Sequence, residues 1–269
     1  MEGVIAWLGG AQEVNRALVI GTLVAARVAP VTVLAPWIVL RDAPAAVRLA
    51  IMAVLTVALA PLALASAPET TPRGAPLFLL GFREAIVGTT FALATALPLH
   101  ALEWAGRLID TWRGATLAEV IAPSSGERSS PTGLLYLLLG VALFAVLGGH
   151  RLAIAAFAEG LAVAPVGVVT LGTSVSDVAF GAARLSASAI GFALAIAAPV
   201  GVTLLAVEAS LGLMARAAPK VPAFFAGMPL RAAVGIGALL LASSYAVARF
   251  PAVFRDAVDA GLSLMRALG

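Results

Sequence analysis

"LSASAIGFALAIAAPVGVTLLAVEASLGLM", residues 185 to 214, decides the fold class: the run carries one charged side chain, Glu208, and one proline, Pro199. About 20 apolar residues suffice for a helix to cross the hydrocarbon core of a bilayer, and this run exceeds that. Working outward, comparable runs lie at 17–40, 47–66, 77–102, 133–148 with 152–166, and 223–250. They predict six or seven helical segments. With 61% hydrophobic residues, 12% charged residues and a mean hydropathy of +1.04, the chain has too little polar surface to cover a water-soluble globule. Pro30, Pro36, Pro98 and Pro199 fall inside or near the ends of the runs, where each removes a helical hydrogen bond and bends the axis. The expected fold is all-α: one membrane-associated domain over 1–269, a bundle of kinked hydrophobic helices and helical hairpins.

Composition also excludes functions. The formal charge is only +3, and sixteen of the seventeen basic residues are arginine, with no basic tract to suggest a nucleic-acid partner. No cysteine and only two histidines, His100 and His150, leave no material for disulfides or a His/Cys metal site. Neither a nucleophile elbow nor a phosphate-binding loop occurs. The reading is non-enzymatic, with no cofactor. Glu2 and Glu13 precede the first apolar run, which lacks the basic flank of a secretory signal, so the start is read as mature. Arginines in the connections give a weak bias toward a cytoplasmic C-terminus.

Charges inside apolar runs cost about 2.5–3.5 kcal/mol each at the bilayer centre on insertion scales and call for a reason. Arg83 and Glu84 are neighbours near the start of their run. Adjacent helical positions point about 100° apart, so simple side-by-side neutralisation is not expected. Either they mark the membrane edge or they serve a contact between helices in an assembly. Glu208, eight residues before Arg216, is expected to be buried against protein. All four are candidates for intersubunit or buried charge, and Arg83, Glu84 and Glu208 have no obvious partner within the chain. His150, in "LGGHR" at 147–151, breaks the run 133–166 and reads as a polar turn residue at a membrane boundary. At the far end, Phe254, Val258, Leu262 and Met265 recur at helical spacing. They predict a short amphipathic tail, 252–269, lying on a membrane face or a partner.

One segment departs from the apolar rule. "EWAGRLIDTWRGATLAEVIAPSSGERSSPTG", 103–133, begins as a helix carrying Glu103, Arg107, Asp110 and Arg113 in a nearly self-neutral ladder and ends as a Gly/Ser/Pro loop. Gly114 suits a helix end. The insert is either an exposed connection or the lining of an aqueous path.

"FREAIVG" at 82–88, "AGRLIDTWRGATLAE" at 105–119, "LFAVLGGHRLAI" at 143–154, "APVG" at 164–167 and "LAVEASLGLMARAAPKVPAFFAGMPLR" at 205–231 occur in this order. In order and spacing they resemble the SctT/FliR family, the export-gate subunit of bacterial type III secretion systems, over about residues 15–250. "IDTWRGAT" is closer to the injectisome branch than to the flagellar one. The resemblance implies a structural and gating role in the bacterial inner membrane. Partners would be SctR (FliP-like), SctS (FliQ-like) and SctU (FlhB-like) proteins together with secreted protein substrates, in an assembly displaced toward the periplasmic side. It also implies a plug at 110–130, with Asp110, Arg113, Gly114, Thr116, Glu119, Pro123, Ser124, Ser125 and Gly126 as the pore-facing residues. Ala122-Pro123 stands where many relatives have Asp-Pro. A secondary transporter would account for kinked helices and Glu208 alike.

Overall fold

A computed structural model describes residues 11–38, 43–69, 75–114, 130–168, 175–218, 220 and 223–268. Among them are seven helices: α1 (Ala11–Leu34), α2 (Ala45–Ser66), α3 (Ala75–Arg113), α4 (Pro131–Val146), α5 (Gly149–Val163), α6 (Val175–Ala217) and α7 (Ala223–Leu268). The all-helical reading holds, and five of the helices are long and apolar enough to cross a membrane, six if α4 and α5 form one broken span. At 22 residues, α2 is about 33 Å long and matches a hydrocarbon core of about 30 Å. By contrast α3, α6 and α7, with 39, 43 and 46 residues, are each about 58–69 Å long. Pro30, Pro98 and Pro199 lie inside helices as expected, joined by Pro61, Pro229 and Pro251, while Pro36 falls beyond the end of α1.

The chain divides into two compact units. Residues 1–97, 148–185 and 254–269 make the first, and residues 98–147 and 186–253 the second. The core of the first unit joins Ile20, Leu23, Val24 and Val28 of α1 to Val87 and Phe91 of α3 and to Phe157 and Leu161 of α5, all buried. Phe91 meets Phe157 edge to face, with ring centroids 5.3 Å apart, the arrangement that aromatic quadrupoles favour. Gly88 brings α3 against the backbone of α1, because a Cβ there would overlap the Arg27 carbonyl. Arg16 of α1 closes the end of α2, donating to the carbonyls of Leu64 at 3.1 Å, Ala67 at 2.9 Å and Pro68 at 3.3 Å. The Leu64 and Ala67 carbonyls are among those that a helix terminus leaves without intrahelical partners.

The C-terminal stretch differs from its expectation. Rather than forming a separate tail, residues 252–268 continue α7 through Pro251 without a break. Phe254, Val258 and Met265 are buried in the first unit. Met265 packs at Gly160, Leu264 at Gly181, and Gly261 faces Phe91 and Ala94. An apolar stripe at helical spacing fixes which face is covered, and here the cover is the chain itself.

In the second unit the buried side chains include Leu99, Leu102 and Ile109 of α3, Tyr136 and Phe144 of α4, Ile196 and Val200 of α6, and Ala246 and Phe250 of α7. Tyr136 lies 1% exposed, and its hydroxyl reaches the Leu239 carbonyl at 3.4 Å and Ser243 Oγ at 3.2 Å. Small residues let α3 and α4 approach closely: Gly140 receives Leu99 and Leu102, and a Cβ at Gly106 would meet the backbone of Thr132 and Gly133. The turn at "LGGHR" is made by Gly148, whose φ of 69° lies in the left-handed region that favours glycine. His150, in the first turn of α5, is exposed.

Candidate functional site

Two polar nodes and an ion pair between helices hold most of the described candidate residues. In the first unit, Glu84 is fully buried, as is Arg27. Arg27 pairs with Glu84 through Nη2, and its Nε donates to Glu84 Oε2 at 2.6 Å. Its Nη1 reaches the Ala164 carbonyl at 2.8 Å. The other carboxylate oxygen accepts from Arg83 Nη1 at 3.0 Å and from the Gly167 amide at 3.3 Å. Gly167 holds φ at +83°, so the chain after α5 can turn its N–H inward. Arg83 also donates to the Leu268 carbonyl at 2.7 Å, where the last turn of α7 presents partial negative charge. Burial of charge is costly unless every polar atom is satisfied, and this node links α1, α3, the segment after α5 and the end of α7.

Two expectations are thereby corrected. Arg83 and Glu84 do neutralise each other despite adjacency, because the three-carbon stem of arginine spans the angular offset that separates the two Cβ atoms. Both also have partners within the chain. Arg27, a lone charge in the first apolar run, was not singled out from sequence, although it meets the same criterion of charge inside an apolar run as Glu84.

The second node sits where the polar insert leaves and rejoins the helices. Asp110, 1% exposed near the end of α3, accepts from Arg113 Nη2 at 2.6 Å, Ser130 Oγ at 2.6 Å, the Thr132 amide at 2.9 Å and Thr132 Oγ1 at 2.5 Å. Arg113 also donates to Thr132 Oγ1 at 3.2 Å, and its methylenes lie over Gly235 of α7. Sequence explains how the second half forms. Ser130 is the N-cap of α4, accepting from the Gly133 amide at 2.9 Å, and Pro131 follows in the first turn, the arrangement that starts helices. The same hydroxyl donates to Asp110. Gly114, with φ 75°, ends α3 as expected. One turn earlier, Arg107 pairs with Glu103 at 2.5 Å, and His100 Nδ1 lies 3.2 Å from the other Glu103 oxygen. The predicted charge ladder is therefore in place. Of the predicted plug residues, Thr116, Glu119, Pro123, Ser124, Ser125 and Gly126 lie outside the described residues. Ser130 and Thr132 were not predicted, since nothing local marks them as partners of a carboxylate across the insert.

Glu208 is not buried. Its side chain is 45% exposed, and it pairs with Arg231 of α7, with Nε at 2.5 Å from Oε1 and Nη2 at 3.0 Å from Oε2. A helical hairpin supplies the partner that inspection of one run could not, and Arg231 was the second intrahelical charge passed over. Beside it Trp112, Gly201, Val202 and Leu205 line an open, mostly apolar groove. Arg216 is exposed in the last turn of α6, a favourable place for a cation.

Helices of this length and apolarity, tied by charges paired within the chain, define a multi-pass, all-helical membrane protein. The family described as bacterial export proteins, family 1, matches residues 18–257, most of the chain, and the protein belongs to that family. Over 73 residues it is 37% identical to "Yop proteins translocation protein T" of Yersinia pestis. Over a stretch of the same length it is 33% identical to "Surface presentation of antigens protein SpaR" of Shigella flexneri. Each of these matches spans 27% of this chain and 28% of the relative.

Proposed function

We propose that the protein is the export-gate subunit of a type III secretion system of the injectisome branch, helping to form and to close an inner-membrane conduit for unfolded protein substrates. The family match over residues 18–257 carries the export role. The names of the similar proteins, one of them a translocation protein for Yop proteins, favour exported proteins as the cargo and the injectisome over the flagellum. Partners of the SctR, SctS and SctU kinds complete the gate, and the three helices about twice the bilayer core in length favour an assembly in which much of their apolar surface meets protein. Closure is assigned to the polar segment 110–130. It is supported by the contrast between that segment and the apolar runs around it, and by the Asp110 node that joins its two ends.

Deleting Ser124–Ser129 tests the closing role. The expected result is a correctly assembled complex whose inner membrane leaks small solutes when no substrate is in transit. Wild-type permeability in an assembled deletion complex would remove the plug from this reading and leave the export role intact.

A further inference from the structure

We propose that Asp110 is a positioning residue that keeps the end of α3 and the start of α4 joined throughout export, so that the polar segment works from a base that does not open. The inference rests on the closing role proposed for 110–130, but its central observation is independent of that role. An ionised carboxylate offers about four lone-pair sites, and Asp110 meets four donors: Arg113 Nη2, Ser130 Oγ, and the amide and hydroxyl of Thr132. Nothing is left vacant for a ligand or an alternative partner to take.

The surroundings reinforce the joint. Gly106 sets α3 against the backbone at Thr132 and Gly133, and Gly133 in turn lies against Ser130, Arg107 and the Glu103 carbonyl. Separating the helices would therefore break tight backbone packing as well as the hydrogen bonds. On its other side Arg113 lies over Gly235 and close to the position of Leu204, which ties the same end of α3 to α6 and α7. Asp110 has no exposed edge from which water could replace its donors gradually. Parting it from Ser130 and Thr132 would remove three of its four donors at once and leave Arg113 alone on the carboxylate. A joint of this kind holds one geometry throughout export.

The chain has no cysteine, so the pair Asp110→Cys with Thr132→Cys, replacing side chains in direct contact, can form only one intramolecular disulfide. In cells carrying the complete apparatus, the reduced form should leak small solutes several-fold more than wild type, since the carboxylate is gone. Oxidation should restore the seal and leave export within about twofold of wild type, the spread of an energetically neutral change. An oxidised form that blocks export, with release by reductant, would show that the base opens and would overturn the inference. So would a reduced form that seals as well as wild type when the Ser124–Ser129 deletion leaks. If that deletion does not leak, the closing role fails, and the export arm of the disulfide experiment still decides whether the base stays shut. Should the double variant not accumulate, Thr132→Val is expected to leak and Thr132→Ser to seal; equal behaviour of these two would overturn the inference as well.

Discussion

Glu84→Leu is expected to leave the subunit unable to hold its first unit together at ordinary temperature. Removing the carboxylate strands the Arg27 guanidinium, which has no exposed surface, and breaking one side of a buried pair costs about 3–5 kcal/mol. That is a large share of the roughly 5–15 kcal/mol by which a domain is stable. Combining Glu84→Leu with Arg27→Met, two apolar side chains of similar volume, should restore much of the loss, because the double change removes the desolvation cost along with the attraction. Recovery should stop short of wild type, since Arg83 and the Gly167 amide also use Glu84. Thermal transitions of the purified complex in detergent measure the comparison. A Glu84→Leu transition equal to wild type would show that Arg27 is accommodated without its carboxylate.

Gly88 and Gly81 make a second, sharper comparison on one helix. A Cβ at Gly88 would lie 2.8 Å from the carbonyl carbon of Arg27 and 3.1 Å from its Cα, and these are backbone atoms with no flexible end to give way. Gly88→Val should force α1 and α3 apart and cost about 1–3 kcal/mol or more by overpacking, moving Arg27 away from Glu84 at the same time. At Gly81 a Cβ meets nothing within 4 Å, so Gly81→Ala should gain up to about 1 kcal/mol of helix propensity. Opposite shifts in the thermal transition are the expected signature. Equal shifts would mean that the two helices are not in contact at Gly88.

These residues also show what a single sequence could and could not disclose. The apolar runs announced the helices because hydrophobicity accumulates over a run, and Gly114 announced the end of α3 because only local geometry was at stake. Pairing is different in kind. Glu84 finds Arg27 at a separation of 57 residues, and Asp110 finds Thr132 across 22; no local rule carries that information. Arg113 was visible as a partner of Asp110 because helical periodicity places it three residues on, while Ser130 was hidden by the insert between them. Arg27 and Arg231 are absent from the sequence reading, although their position inside apolar runs is itself a signal. The apolar spacing of Phe254, Val258 and Met265 announced a helix and its covered face, but not that α7 runs into it through Pro251 without a break.

The joint at Asp110 has a consequence for how this protein can change over evolutionary time. The joint fastens Asp110 to Ser130 and Thr132, and between two fastened points a change in chain length is felt through the entropy of closing a loop. Such a penalty grows only logarithmically, by about 0.6 kcal/mol for each doubling of loop length. Losing the joint instead exposes the cost of an unsatisfied buried carboxylate, several times larger. A change in chain length between the two halves of the joint is therefore expected to cost less than the loss of Asp110, Arg113, Ser130 or Thr132, which are bound to one another. Descendants of this sequence are expected to vary the length between the two halves more readily than the four side chains that hold the helices together.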